Sequence, residues 1–342
     1  MHLIYFTLLL FLCTQTNYAA TDTIFAGQAL SVNDKLVSNN GRYALGFFNT
    51  SSSKPSRDTT NWYLGIWFNT VPKFTSAWVP NRDRPIKNTT SLELTISHDG
   101  NLVILNQSTK SIIWSTQANI TRNSTTAMLL SRGNLILTDS SNSSEILWES
   151  FDHPTDTLFP GAKLGWDKLT GLNRRLVSWK NLNDPATGVY CEMSGNNPPF
   201  TSNFVHNDQE KYMTLTVVDE SMVTRNVLDV SGRSKQFVWS EGSQDWTMVY
   251  AQPKLQCDVY AICGPFTICY DNAVPYCSCM EGFTITSPKY WQLEDTTGGC
   301  SRNTQLDCIS NKSTTHTTDK FYSVPCVKLP QNAPKVEAVA SP

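Results

Sequence analysis

Six cysteines between Cys257 and Cys300, spaced C-x5-C-x5-C-x7-C-x-C-x20-C, constrain this chain more than any other feature. Zinc sites usually offer C-x-x-C knuckles and histidines, whereas this stretch holds one C-x-C, no C-x-x-C and no His. It therefore reads as a disulfide framework, with no metal or other cofactor expected. A module of about 45 residues buries too little apolar surface to fold alone, and bridges worth roughly 2–4 kcal/mol each supply the deficit. Six cysteines permit fifteen pairings, and spacing does not choose among them.

Bridges need an oxidising compartment, and the N-terminus provides a route to one. LIYFTLLLFL (residues 3–12), followed by Ala19-Ala20, reads as a signal peptide over residues 1–20. The run is shorter than the roughly 20 apolar residues of a membrane helix, and nothing later approaches that length, so no membrane span is expected. Cys13 leaves with the signal, taking ten cysteines to nine, an odd number that leaves one unpaired or bridged to another chain. Cys191 has no evident mate; Cys308 and Cys326 pair with each other or with nothing. N-x-S/T signals at Asn49, Asn88, Asn106, Asn119, Asn123, Asn142 and Asn311 point to a secreted, glycan-covered surface. A net charge of -2 without a long basic run gives no electrostatic case for nucleic acid or anionic membranes.

The segment before residue 150 is self-similar. TISHDGNLVILN with SIIWST (95–116) returns as LLSRGNLILTD with ILWES (129–150), matching Asn101 to Asn134 and Trp114 to Trp148. A looser first copy, SNNGRYALGFFN with YLGIWF, places Gly41 and Trp67 correspondingly, around a Ser-rich insertion at 50–60. Apolar and polar residues alternate about each Gly, the pattern of half-buried hairpins. Three copies predict three antiparallel sheets about a pseudo-threefold axis, with Trp67, Trp114 and Trp148 packed at its centre rather than serving as sugar-stacking platforms.

This pattern resembles the bulb-type mannose-binding lectins over about residues 22–150. The resemblance implies a β-prism and a sugar site on a Q-x-D-x-N-x-V-x-Y strand. The best copy here is Ser97, Asp99, Asn101, Val103 and Leu105, which keeps the Asp, Asn and Val and lacks the amide and the phenol. The next copy carries Arg132, Asn134, Ile136 and Thr138 at the last four positions, with Arg in place of an acceptor carboxylate. Asp-Gly-Asn also has a plain structural meaning, a hairpin turn.

LWESFDHPTDTLFPGAKLGWD (147–167), LVSWKNLNDPATGVYC (176–191) and GGCSRNTQLDC (298–308) resemble, from Thr21 onward, the plant S-domain receptor-like kinases. The resemblance implies an all-β chain: a bulb-type lectin β-prism (21–152), a shortened S-locus glycoprotein-like domain (153–253), an EGF-like module (254–300), and a linker with a truncated PAN/apple opening (301–342). For the EGF-like module it implies the bridges Cys257–Cys269, Cys263–Cys277 and Cys279–Cys300. The second domain is shortened because CEMSGNNPPFTSN stands where relatives have a longer stretch, so open sheet edges are expected there. Trp239 and Trp246 are its expected core anchors.

No kinase motif, nucleophile elbow or H-E-x-x-H helix is present. Asp152, His153 and Asp156 in SFDHPTDTLFPG are the one grouping suggestive of catalysis, and their Pro- and Gly-rich setting reads instead as a connecting turn. The expected function is an extracellular, non-catalytic recognition ectodomain engaging a peptide, protein or glycan, as a homodimer or with a co-receptor. By resemblance its signalling role is in recognition of pollen or in defence. The alternatives are a secreted mannose-binding lectin and a fragment without independent function.

Overall fold

The computed structural model describes residues 21–50, 61–87, 89–120, 124–192, 201–217 and 219–304. The expected signal peptide, most of the 50–60 insertion, residues 193–200, the sequons at Asn88, Asn123 and Asn311, and Cys308 and Cys326 lie outside them. The chain is all-β and divides into two compact units, one ending at Gln252 and one starting at Pro253.

Twelve strands occupy the first part of unit one: β1 (Thr23–Phe25), β2 (Ala29–Ser31), β3 (Lys35–Val37), β4 (Tyr43–Asn49), β5 (Trp62–Phe68), β6 (Ser76–Trp78), β7 (Leu92–Ile96), β8 (Leu102–Asn106), β9 (Ser111–Ser115), β10 (Thr125–Leu129), β11 (Leu135–Asp139) and β12 (Asn142–Glu149). They form three four-stranded antiparallel sheets, in the orders β1-β10-β11-β12, β2-β7-β8-β9 and β3-β4-β5-β6. Alternation aims one face of each sheet at a shared core in which Leu45, Leu64, Ile66, Leu94, Ile104, Leu135 and Leu137 are all 0% exposed. Such burial stabilises each side chain by roughly 1.5–3 kcal/mol.

The tryptophan expectation needs one correction. Trp78, Trp114 and Trp148 meet at the centre, with ring centroids 6.1, 6.1 and 6.2 Å apart, and Trp67 packs elsewhere, against Phe74 at 5.6 Å. The reason lies in strand order. Matching Gly41 to Gly100 equates β4 with β8, whereas the register equates β5 with β8 and β11. Ile66 pairs Trp78 as Ile104 pairs Trp114 and Leu137 pairs Trp148, and each sheet is irregular directly after that residue. A second equivalence agrees. The backbone N–H of Leu64 donates to Asn81 Oδ1 (2.9 Å), that of Leu102 to Thr116 Oγ1 (3.2 Å), and that of Leu135 to Ser150 Oγ (2.9 Å).

Gly100 and Gly133 turn the β7–β8 and β10–β11 hairpins at φ +83° and +84°. A Cβ on Gly133 would meet Phe159 Cε1 at 2.6 Å. Gly133→Ala therefore combines strain with overpacking and is expected to cost roughly 1–3 kcal/mol in a denaturant titration. A loss below measurement error would contradict this geometry.

Ten further strands complete unit one: β13 (Thr157–Leu158), β14 (Lys163–Asp167), β15 (Asn173–Arg174), β16 (Leu176–Asn181), β17 (Asp184–Glu192), β18 (Thr201–His206), β19 (Glu210–Thr216), β20 (Thr224–Leu228), β21 (Ser234–Ser240) and β22 (Asp245–Gln252). They form sheets β13-β20-β21-β22 and β15-β14-β19-β18 and the hairpin β16-β17. Trp239 is 7% exposed and meets Trp246 edge-on at 5.5 Å. Among the described residues β17 pairs only with β16 and β18 only with β19, leaving two edges beside the abbreviated segment. Val189 on β17 is 71% exposed.

Polar contacts join the prism to these strands. The Arg82 guanidinium donates to the carbonyls of Val177 (3.0 Å) and Ser178 (2.6 Å), and Asp83 accepts from the Thr187 backbone N–H (2.8 Å) and hydroxyl (2.7 Å). The Trp246 indole donates to Thr75 Oγ1 at 2.9 Å.

Unit two is held by Cys257–Cys269, Cys263–Cys277 and Cys279–Cys300, with Cα–Cα separations of 5.7, 5.4 and 5.7 Å. Its hairpins pair β23 (Thr267–Cys269) with β24 (Cys277–Cys279) and β25 (Phe283–Ile285) with β26 (Cys300–Arg302). Phe266 stacks on Phe283 at 4.6 Å. Cys191, in unit one, is unbridged and exposed.

Candidate functional site

The β7–β8 turn brings Ser97, Asp99 and Asn101 together and turns them on one another. Asp99 Oδ1 accepts from the Ser97 hydroxyl and from the Asn101 backbone N–H (3.2 Å), while Asn101 Nδ2 donates to Asp99 Oδ2 at 3.1 Å. These bonds, the Ser97 hydroxyl first, hold the Asp99 carboxyl below the usual carboxylate range. The Asn101 amide is also committed across the turn. Its Oδ1 accepts from Thr116 Oγ1 (2.7 Å) and the Ala118 backbone N–H (2.8 Å), and its Nδ2 reaches the Ala118 carbonyl at 3.3 Å. Asn101 is 6% exposed and Val103 only 1%. The valine thus offers no surface on which a sugar ring could rest.

The β11 copy is built alike. Asn134 Oδ1 accepts from Ser150 Oγ (3.0 Å) and the Phe151 N–H (3.2 Å), and its Nδ2 donates to Glu149 Oε2 at 2.7 Å. Arg132 points to Glu220, 3.9 Å away, on an exposed surface. The β3-β4-β5-β6 sheet holds a third copy that sequence matching missed because of the one-strand offset: Asn61, Tyr63, Gly65 and Trp67 on and before β5. Tyr63 is 0% exposed there, and burial pushes its phenol up to about 12. The signal that could have revealed this copy is the Ile66–Trp78 pairing, visible only once the strands are assembled.

Asp152, His153 and Asp156 are each engaged separately. Asp152 accepts from Arg174 Nε at 2.6 Å, the His153 ring stacks on Trp148 at 5.2 Å, and the His153 carbonyl accepts the Trp78 indole N–H at 2.8 Å. Asp156 is 4% exposed, and burial raises its pKa against the opposing pull of Arg225 and Arg82. The segment braces the prism centre against the strands that follow it.

Of the sequons within the described residues, Asn49, Asn119 and Asn142 are exposed. Asn106 is half-buried, and its side-chain oxygen accepts from the backbone of Ser108 (3.0 Å) and Thr109 (3.2 Å). A cleft of about 450 Å³ opens in unit one, lined by prism residues Phe48, Asn49, Lys73 and Phe74 and by Trp179, Arg225 and Trp246 of the later strands. No helix among the described residues is long and apolar enough to cross a membrane.

Two family models match the chain: D-mannose binding lectin at residues 75–180 and S-locus glycoprotein domain at 178–287. An S-locus-specific glycoprotein of Brassica oleracea is 34% identical over 372 residues, covering 96% of this chain and 80% of that protein. A G-type lectin S-receptor-like serine/threonine-protein kinase of Arabidopsis thaliana is 36% identical over 354 residues, covering 92% of this chain and 41% of the kinase. The chain thus spans less than half the length of that receptor. Among solved structures, a monomeric mannose-binding lectin from Gastrodia elata aligns at 22% identity and TM-score 0.28, over 38% of this chain and 96% of the lectin. Sequence identity over nearly the whole chain therefore places this protein in the family of S-locus glycoproteins and the lectin-type ectodomains of S-receptor-like kinases.

Proposed function

We propose that this protein is a secreted recognition ectodomain of the S-domain type, without catalytic activity, that engages an extracellular peptide, protein or glycan through surfaces other than the eroded mannose strand. It acts as a homodimer or beside a co-receptor, with unit two serving as an EGF-like spacer that supports such pairing. Signalling in pollen recognition or defence is the role that its relatives suggest. The observation that carries this reading is the closed circuit of hydrogen bonds at Asp99 and Asn101. Recognition of sugar hydroxyls requires a complete set of free donors and acceptors, and here Asn101 is spent on the turn, the exposed Asp99 carboxylate is partly engaged by it, and Val103 is covered. Segments that connect the strands of a rigid β-scaffold vary without disturbing the core, which favours the 50–60 insertion as a contact surface. Of the segment around Asn196–Asn207, favoured by the sequence on the same ground, Thr201–His206 is strand β18 and not loop, so the candidate there narrows to residues outside that strand.

The test is a mannose column and a glycan array. No retention above background is expected, and Asp99→Ala and Asn101→Ala should leave that result unchanged. Retention that either substitution abolishes would sink this reading in favour of a mannose-binding lectin. Replacing residues 50–60 by a Gly/Ser tether should weaken binding to a co-purifying extracellular partner, and unchanged binding would move the contact surface elsewhere.

A further inference from the structure

The cleft of unit one has an occupant tethered to its own wall. Asn49 ends β4, is exposed and belongs to the lining, and Asn49-Thr50-Ser51 is a glycosylation signal. The cleft volume, about 450 Å³, falls within the roughly 300–1,000 Å³ of small-ligand sites. Its wall leaves Phe74 51% and Leu182 52% exposed, an apolar surface next to the polar contacts that join prism and second β-domain. Arg225 also lines the cleft; its guanidinium lies 3.9 Å from Asp156 with the side chain 22% exposed, and its further N–H groups are donors for hydroxyl or acetamide oxygens.

We propose that the first sugars of an N-linked glycan on Asn49 fill this cleft, laying an apolar sugar face on Phe74 and accepting hydrogen bonds from Arg225, so that the glycan cements the prism to the second β-domain. This rests on the secreted, glycosylated reading above. Attachment joins Asn49 Nδ2 to the anomeric carbon of the sugar. The bond from that carbon to a lipid-linked pyrophosphate breaks, the lipid pyrophosphate departs with its electron pair, and the amide proton passes to solvent. A tethered sugar sits at high effective concentration, so modest contacts hold it where a free ligand of equal affinity would dissociate. The covalent link is what favours this occupant over a diffusing one.

The full chain, secreted with uniform high-mannose glycans, is exposed while folded to an endoglycosidase, and loss at each site is followed by peptide mass spectrometry. The Asn142 glycan, on an exposed residue of β12 outside the cleft, is the reference. Release at Asn49 is expected to be about tenfold slower, the protection that a contact of about 1.4 kcal/mol provides. Phe74→Ala, which keeps the sequon, should bring the two rates together, and Leu182→Ser serves the same purpose if Phe74→Ala does not fold. Equal rates in the unmodified chain, an unoccupied Asn49 beside an occupied Asn142, or unchanged protection in a folded lining variant would overturn the proposal. Absence of glycan at every sequon would instead overturn the secreted reading on which it rests.

Discussion

Trp78→Ala is expected to lower the unfolding free energy of unit one by about 3–5 kcal/mol, the range for truncating a buried Trp or Phe. Trp78 is 2% exposed and packs edge-on or tilted against both other central tryptophans. Its removal opens a void where three sheets converge and strips the His153 carbonyl of its indole donor. Trp67→Ala removes a half-buried ring away from that centre, with an expected cost of about 1–2 kcal/mol. Chemical denaturation of the purified protein measures both. Trp78→Phe keeps most of the ring volume without the N–H and should fall between them if Trp78→Ala is too unstable to isolate. A larger loss for Trp67→Ala than for Trp78→Ala would return Trp67 to the threefold centre and refute the strand equivalence.

Replacing Cys263 and Cys277 together by Ser is expected to unfold unit two while leaving unit one intact. The bridge closes a 14-residue separation, worth roughly 3 kcal/mol of chain entropy in the unfolded state. Little else is available to compensate. Apart from its cysteines, Val259 and Ile262 are the buried apolar side chains among the described residues of that unit, and a module so small lacks a core able to absorb the loss. Limited proteolysis should cut the double variant rapidly between residues 253 and 304, with the unfolding transition of unit one unchanged. Protection equal to that of the unmodified chain would show that the other two bridges suffice. Loss of both units at once would show that they unfold as one.

Much of this architecture was legible in the residues. Alternation at Leu92, Leu94 and Ile96 and again at Leu102 and Ile104 announces half-buried hairpins, and both predicted strands form, paired Leu94 to Ile104. Gly100 and Gly133 mark turns that do adopt positive φ. Trp239 in the second β-domain is the core anchor its setting suggested, with Trp246 half-buried against it.

Residue pattern alone makes the chain all-β, its first part a threefold repeat of hairpins, and its next part a cysteine-stapled module. These are local properties: period-two alternation sets which face of a strand is buried, and glycine sets where the chain reverses. Which tryptophans meet, how far the turn engages Asp99 and Asn101, and the place of Asn49 in a cleft depend on how distant strands assemble. Alternation is blind to a shift of one whole strand within a sheet, so Trp67 and Trp78 were indistinguishable until Ile66 was seen paired to Trp78. The fate of Asn101 rests on Thr116 and Ala118, and the cleft joins β4 to residues more than 100 positions later. Hydrogen-bond saturation and concavity arise when distant segments meet, and no local pattern encodes them.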